Sequence, residues 1–168
     1  LRDAWMLLWP LSEFYAFSDQ RTANTNQNPA FHAVFDGAPF AAAPAANQTN
    51  DLGKAVAGSD AFSLALNLSN LTFKNLQALH FEPKAGTLVD SWQAGKQAGH
   101  VTTFDAAYAL VALQIFQRAQ DALPVGYAAG DNGELNLKTQ QGEQAIALVR
   151  KQADFILANL KGKNGLVH

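Results

Sequence analysis

The stretch from residue 102 to residue 121, TTFDAAYALVALQIFQRAQD, decides the fold class of this chain. Its apolar residues recur at the 3.6-residue period of an α-helix, which is predicted from Phe104 to about Asp121 with Thr102 or Thr103 as its N-cap. One face of this helix carries Phe104, Tyr108, Val111 and Ile115, and a second face carries Ala106, Leu110 and Leu113. A helix that is apolar over more than one stripe is typical of a helix buried on two sides.

Three further segments share this periodicity and are predicted as long helices, over about residues 2–17, 59 or 60 to 81, and 139–161. Pro10 should kink the first, and Gly162 should end the last in a left-handed conformation. In the second, the apolar stripe is predicted at Leu64, Leu68, Leu71 and Leu79 together with Asn75, widened by Phe62, Leu66, Phe73 and Leu76. Strand signals are scarce, and residues 87–100 are predicted as a loop. The chain is therefore predicted to be all-α.

Length and composition exclude several classes of protein. At 168 residues, with 48% hydrophobic and 15% charged residues, the chain is long and apolar enough for one folded domain. Its 12 basic and 14 acidic side chains give a net charge of −2, which argues against nucleic acid as a partner. No run is long and apolar enough to predict a membrane span.

The residue types that build metal and redox sites give no signal here. The chain has no cysteine, so disulfides, thiolate metal sites and a cysteine nucleophile are excluded. Its 4 histidines show no spacing typical of metal ligands. We therefore predict no metal and no cofactor.

The sequence contains a weak internal repeat. Lys84-Ala85-Gly86-Thr87-Leu88-Val89 resembles Lys163-Asn164-Gly165-Leu166-Val167, and both stretches follow a predicted helix. The helix starts beginning Asp3-Ala4 and Asp105-Ala106 are also similar. The unit that these matches define is helix, connection, helix, Gly turn and a short extended piece. Convergence on common helix-end chemistry is the alternative explanation, since lysine and glycine are favourable at any helix C-terminus.

We interpret residues 1–168 as one all-α region of two helical hairpins. The first covers residues 1–86 and includes a Pro- and Asn-rich insertion at 18–50, and the second covers residues 102–168. Because the chain begins and ends at equivalent points of the unit, we expect it to be two repeats of a longer array, or else a mature form without its leader. The alternative is a plain four-helix bundle.

The segment Gly86-Thr87-Leu88-Val89 leads through a loop into Thr102-Thr103-Phe104-Asp105. In these residues the central and C-terminal thirds of the chain resemble the α/α-toroid superfamily of six-hairpin glycosidases. Within that superfamily the resemblance is nearest to bacterial glucoamylase-like proteins. Two hairpins cannot close such a ring, so the resemblance implies a fragment of a toroid or of a hairpin array. It also implies a carbohydrate site where the loop from Thr87 to Thr103 meets the next helix. Within that region the candidate residues are Asp90 as a catalytic carboxylate and Trp92, His100 and Tyr108 as substrate-binding residues.

The residues at this site also have structural interpretations. Glycoside hydrolysis needs two carboxylates, and no partner for Asp90 is identifiable, because Asp105 is better placed to stabilise a helix N-terminus. Trp92 can equally anchor its loop on the core, and His100 can be an ordinary surface histidine.

The leading functional hypothesis is a fragment of an exported bacterial protein, secreted or in the periplasm or cell envelope, that hydrolyses or cleaves carbohydrate. The alternative is a non-catalytic helical-hairpin module that binds glycan or protein or serves as a scaffold. The wide apolar faces of the third and fourth helices further predict self-association through an exposed apolar surface.

Overall fold

A computed structural model describes residues 1–17, 61–93, 96–123, 125 and 137–166. Its four helices are α1 (Arg2–Phe17), α2 (Ala61–Leu79), α3 (Thr103–Gln120) and α4 (Gln140–Phe155), and a π-helical turn, Ile156–Leu160, extends α4. Four short strands lie between α2 and α3, namely β1 (Phe81–Glu82), β2 (Thr87–Leu88), β3 (Ser91–Gln93) and β4 (Lys96–Ala98). The mostly helical fold confirms the all-α prediction in its coarse form. The predicted insertion at 18–50 lies outside the described residues.

Helix α3 begins at its predicted cap, and α4 begins at a threonine cap of the same kind. The Thr102 side chain accepts a hydrogen bond from the backbone N–H of Asp105, and the Thr139 side chain accepts one from that of Gly142. Both threonines thus satisfy a backbone donor that the first helical turn leaves without a partner. Helix α1 continues through Pro10, which is exposed.

The helices pack in the order α2, α1, α3, α4, with α1 against both α2 and α3 and with α3 also against α4. Helices α1 and α3 are parallel, because Arg2 contacts Asp105 near both N-termini and Tyr15 shares an apolar cluster with Ala119 near both C-termini. Helix α2 runs antiparallel to α1, since its early residue Ala65 belongs to that same cluster. Helix α4 runs antiparallel to α3, because Thr139 at its start bonds to Asp121 at the end of α3. Each long helix of the parallel pair therefore has its own antiparallel neighbour.

The main core lies where α1, α2 and α3 meet, with contributions from α4 and β2. Phe73 of α2 stacks on Phe116 of α3 with ring centroids 4.5 Å apart. The buried residues of this cluster are Leu1, Trp5, Leu8, Phe73, Leu76, Leu88, Ala109, Ala112, Leu113, Phe116, Ala145 and Leu148. No helix in the described part of the chain is long and apolar enough to cross a membrane.

The predicted apolar stripe of α2 is wrong for its leucines and right for two of the residues that widen it. Leu64, Leu68, Leu71 and Leu79 are exposed, whereas Phe73 and Leu76 are buried as predicted, together with Ala65, Ser69 and Thr72. The buried face contains the small and polar residues Ala65, Ser69 and Thr72 alongside Phe73 and Leu76. Hydrophobicity alone therefore centres the stripe on the wrong residues of this helix.

Residues 87–100, predicted as a loop, contain most of two small β-hairpins. Strand β1 pairs antiparallel with β2, with Phe81 opposite Leu88, and β3 pairs antiparallel with β4, with Trp92 opposite Gln97. The buried amide of Gln152 on α4 holds β2 in place, since its Oε1 accepts hydrogen bonds from the Leu88 N–H at 2.8 Å and the Thr87 hydroxyl at 2.9 Å. The strands are too short to show the alternating pattern that identifies a strand in sequence.

Gly162 is not the left-handed residue predicted to end the last helix. The backbone leaves the helix at Lys161 in an extended conformation, and Gly165 adopts the positive φ instead, at 80°. The N–H group of Gly162 donates a hydrogen bond to the Leu166 carbonyl at 2.7 Å, which closes a turn. Gly86 also has a positive φ, at 71°, and ends the turn between β1 and β2. The two glycines of the internal repeat thus share a positive φ, Gly86 between two paired strands and Gly165 in the turn after the last helix.

Asp121 joins the end of α3 to the start of α4. Its Oδ1 accepts hydrogen bonds from the backbone N–H of Thr139 at 2.7 Å and from the Thr139 hydroxyl at 2.9 Å, and its Oδ2 accepts one from Gln117 at 2.6 Å. The absent side chain of Gly142 leaves room for this carboxylate, because a Cβ there would lie 2.6 Å from Oδ2.

Candidate functional site

The N-terminal ends of α1 and α3 meet around the buried carboxylate of Asp105. Thr102 donates to it from α3's own N-cap at 2.6 Å. From α1, the Trp5 indole N–H donates at 2.9 Å and the Arg2 guanidinium donates twice, each time at 3.1 Å. Two parallel hydrogen bonds between a guanidinium and a carboxylate hold the two charged groups in one relative orientation. They therefore also fix the position of α1 relative to α3.

These partners keep Asp105 ionised. Burial acts to raise its pKa, but the hydrogen bonds from Arg2, Thr102 and Trp5 outweigh burial and lower the pKa from 3.8 to about 2. A carboxylate that is enclosed, paired and hard to protonate is unsuited to exchange protons with a substrate. Asp105 therefore has a structural role at the helix start, in line with the structural interpretation of this residue.

A cluster of aromatic rings, which we call the aromatic patch, lies beside Asp105 and consists of Trp5, Trp9, Phe104 and Tyr108. Tyr108 is at its centre, with its ring stacked on that of Trp5 at 5.1 Å and lying 4.5 Å from Phe104 and 6.0 Å from Trp9. Trp5 is buried beneath, whereas Phe104 is 52% and Tyr108 38% exposed. The patch therefore presents aromatic rings to solvent on a rigid base.

Polar groups border the aromatic patch. The Arg2 guanidinium lies 5.4 Å from the centre of the Phe104 ring. The Trp9 indole N–H donates to the exposed Glu13 carboxylate at 2.8 Å, which orients both side chains. Hydrogen-bonding groups at the edge of an aromatic surface are typical of sites that bind ligands with both apolar and hydroxyl-bearing faces.

Asp90 and His100 form a pair next to the start of α1. The Nδ1 atom of His100 lies 3.2 Å from Oδ2 of Asp90, and the Asp90 N–H donates to the His100 carbonyl at 2.8 Å. The Asp90 carbonyl in turn accepts a hydrogen bond from the amino group of Leu1 at 2.7 Å. The His100 side chain is 73% exposed, so the pair is open to solvent.

The structure brings some of the predicted site residues together. Asp90 pairs with His100, and Tyr108 is the centre of the aromatic patch. Trp92 lies in β3, and its backbone is opposite Gln97 of β4. Within the described residues, no group of three or more histidine and acidic side chains is arranged to hold a metal ion.

Sequence reasoning misses the contributions of Arg2, Trp5 and Trp9. Trp5 and Trp9 are spaced by four residues, and the periodicity of the first helix identifies them only as general apolar coverage. The spacing places them one above the other on one face, which is a usable signal. The partner helix gives no such signal, because the contact from Trp5 to Asp105 spans 100 residues of sequence.

Comparisons with known proteins identify no relative. No family model, no curated protein and no solved structure matches this chain.

Proposed function

We propose that this chain binds carbohydrate at the aromatic patch and that Asp90 and His100, near the start of α1, contribute hydrogen bonds to the ligand. The observation that carries the proposal is the Tyr108 ring, which is 38% exposed and held by stacking on the buried Trp5. An exposed ring in a fixed orientation offers a flat apolar face at little entropic cost on binding. The C–H-bearing face of a sugar ring is a suitable partner for it.

The polar surroundings suit the hydroxyl groups of a sugar. A carboxylate such as Asp90 accepts hydrogen bonds from hydroxyls, while an imidazole such as His100 donates or accepts according to its tautomer. Glu13 provides a second acceptor at the edge of the patch, next to Trp9. The combination of stacked rings and acceptors at their rim supports a neutral or weakly charged oligosaccharide as the ligand.

The arrangement of the helices supports a hairpin module as the setting of this site. Two parallel helices in direct contact, each with an antiparallel neighbour, are compatible with consecutive units of a helical-hairpin array. In an up-down bundle of four helices the first and third commonly lie diagonally instead. We extend the proposal to a fragment of an α/α-toroid-like or hairpin-array protein, exported to the cell envelope or beyond.

Binding without catalysis is the form of the proposal that the geometry favours. Hydrolysis of a glycoside needs two carboxylates across the scissile bond, roughly 5 to 9.5 Å apart. Asp105 is enclosed and paired with Arg2, so it is not available as the partner of Asp90. A hydrolase or lyase activity with Asp90 as the catalytic carboxylate is the alternative, which rests on the exposed Asp90–His100 pair.

A titration of the whole chain with neutral and acidic oligosaccharides, followed by tryptophan fluorescence and calorimetry, tests this proposal. Tyr108→Ala should weaken binding about tenfold or more, because it removes the stacking surface. Val111→Ala is the control, since Val111 is on the same helix and equally exposed, at 38%, and should leave affinity unchanged. Absence of binding at about 10 mM ligand, a concentration that detects even very weak complexes, would refute the proposal.

Product analysis in the same samples separates the two forms of the proposal. Chromatography of the oligosaccharides after prolonged incubation should show them intact if the chain only binds. Cleavage that Asp90→Asn abolishes, with binding retained, would favour the enzyme.

A further inference from the structure

Helix α2 carries a stripe of exposed leucines, which we call the leucine stripe: Leu64, Leu68, Leu71 and Leu79, each 40% to 55% exposed. At 3.6 residues per turn these leucines and Asn75 fall within about 80° of one another around the helix axis. The stripe lies about 100° from the centre of the face that packs on α1. It therefore occupies a side of α2 distinct from the one used in the core, and contiguous exposed apolar residues are a common feature of interaction surfaces.

The spacing of the stripe indicates what kind of partner it fits. The intervals from Leu64 to Leu68, to Leu71 and to Asn75 are four, three and four residues, which is the spacing of the a and d positions of a helical seam. Asn75 takes an a position in this register. A single asparagine among apolar a and d residues is the arrangement that sets register between paired helices, at some cost in stability.

The charge on α2 favours a second copy of the same helix. The sequence of α2, AFSLALNLSNLTFKNLQAL, contains no acidic residue and one basic residue, Lys74. A partner selected by charge would need complementary charges on this face, and the face has none to offer. Two copies of the stripe can meet without burying a carboxylate, with leucine against leucine and Asn75 able to hydrogen-bond across the contact.

We propose that the leucine stripe of α2 binds the leucine stripe of a second copy of this chain, forming a two-fold symmetric dimer. Among the described elements α2 lies at the edge of the helix layer, packed on α1, so the exposed stripe is accessible to a second molecule. A seam of about four turns buries on the order of 1,000 Å², which is the range of transient complexes. The dimer should therefore exchange with monomer at tens to hundreds of micromolar protein. This proposal is independent of carbohydrate binding.

Sedimentation velocity of the whole chain from about 5 to about 500 µM tests the dimer, since mass action makes association depend on concentration. The weight-average sedimentation coefficient should rise across this range. Leu68→Lys and Leu71→Lys, which place two like charges in the seam, should each weaken association about tenfold or more. Leu157→Lys is the matched control, because Leu157 is 61% exposed and outside the stripe, and it should associate as the unmodified chain does.

Circular dichroism and thermal unfolding should show that all three variants stay folded, since each replaces an exposed side chain. Asn75→Leu adds a second measurement that a folding defect cannot imitate, because it should strengthen association about tenfold. A chain that remains monomeric at about 500 µM, or a Leu157→Lys effect as large as that of Leu68→Lys, would overturn the proposal. A chain that remains monomeric is also the result expected if another segment or an adjoining hairpin covers the stripe.

Discussion

Two buried aspartates make several of the polar contacts between helices in the described part of the chain. Asp105 joins the starts of α1 and α3, and Asp121 joins the end of α3 to the start of α4. Each accepts several hydrogen bonds, and such multiple bonding offsets the cost of burying a carboxylate. The two residues therefore act as structural joints at opposite ends of α3.

Replacing Asp105 tests the joint between α1 and α3. Asp105→Asn should lower the free energy of unfolding by about 2 to 4 kcal/mol, because it leaves Arg2 without its carboxylate and breaks charge-assisted bonds. Urea denaturation measures this loss. Asp3→Asn is the matched control, since Asp3 is the corresponding aspartate at the start of α1 but is exposed, and it should change stability by less than about 0.5 kcal/mol. Equal effects of the two substitutions would contradict the assigned role of Asp105.

Replacing Gly142 tests the role of Asp121 in joining α3 to α4. A Cβ at this position would lie 2.6 Å from Oδ2 of Asp121. The Asp121 carboxylate is held in place by hydrogen bonds from Gln117 to Oδ2 and from Thr139 to Oδ1. Gly142→Ala should therefore destabilise the chain by about 1 to 3 kcal/mol, although alanine is the better helix former. Calorimetric unfolding checks this, with Gly99→Ala as the control, because a Cβ at Gly99 has no atom within 4 Å. A stabilised Gly142→Ala variant would show that Asp121 can move aside freely.

At the scale of elements, the β1–β2 hairpin depends on a side chain from a distant helix. Gln152 of α4 is buried, and its Oε1 accepts both the Leu88 N–H and the Thr87 hydroxyl. Two residues in each strand are too few to be stable alone. The hydrogen bonds to the Gln152 amide therefore supply stability that the hairpin does not have by itself.

Removing this amide should loosen the hairpin selectively. Gln152→Met keeps the size of the side chain but leaves the Leu88 N–H and the Thr87 hydroxyl without their acceptor, at a cost of about 1 to 3 kcal/mol. Hydrogen exchange should accelerate at Leu88 more than at the centre of α3. Gln144→Met is the control on the same helix, at an exposed position. Unchanged exchange at Leu88 would show that its protection comes from elsewhere.

For the whole molecule, the depressed pKa of Asp105 makes stability depend on pH. In the folded chain this pKa is about 2, compared with 3.8 ordinarily, so the unfolded chain binds the proton more readily. Ionised Asp105 contributes about 2 kcal/mol to the free energy of unfolding. This contribution is complete above pH 3.8 and is lost as the pH falls toward 2.

Urea titrations at several pH values between 6 and 2 should show this loss (the interval spans both pKa values). The difference in unfolding free energy between the unmodified chain and Asp105→Asn should be largest near neutral pH and should shrink toward pH 2, because protonation removes the charge that the variant already lacks. A difference that stays constant with pH would mean that the folded-state pKa is not lowered.

How the four helices pack relative to one another is also a property of the whole molecule. The predicted hairpins are compatible with the antiparallel contacts of α1 with α2 and of α3 with α4. No local pattern in the sequence indicates the parallel contact of α1 with α3. That contact depends on Arg2 reaching Asp105 across 103 residues of sequence.

The sequence by itself determined where the helices lie and, as Thr102 shows, how α3 begins, because periodicity and capping act between residues a few positions apart. Tertiary structure decided which side of α2 is buried, where Gln152 and Asp105 find their partners, and how Trp5 and Tyr108 come to share a surface. These outcomes depend on contacts between distant segments and on close approach of helix backbones. A local hydrophobic pattern contains no information about either.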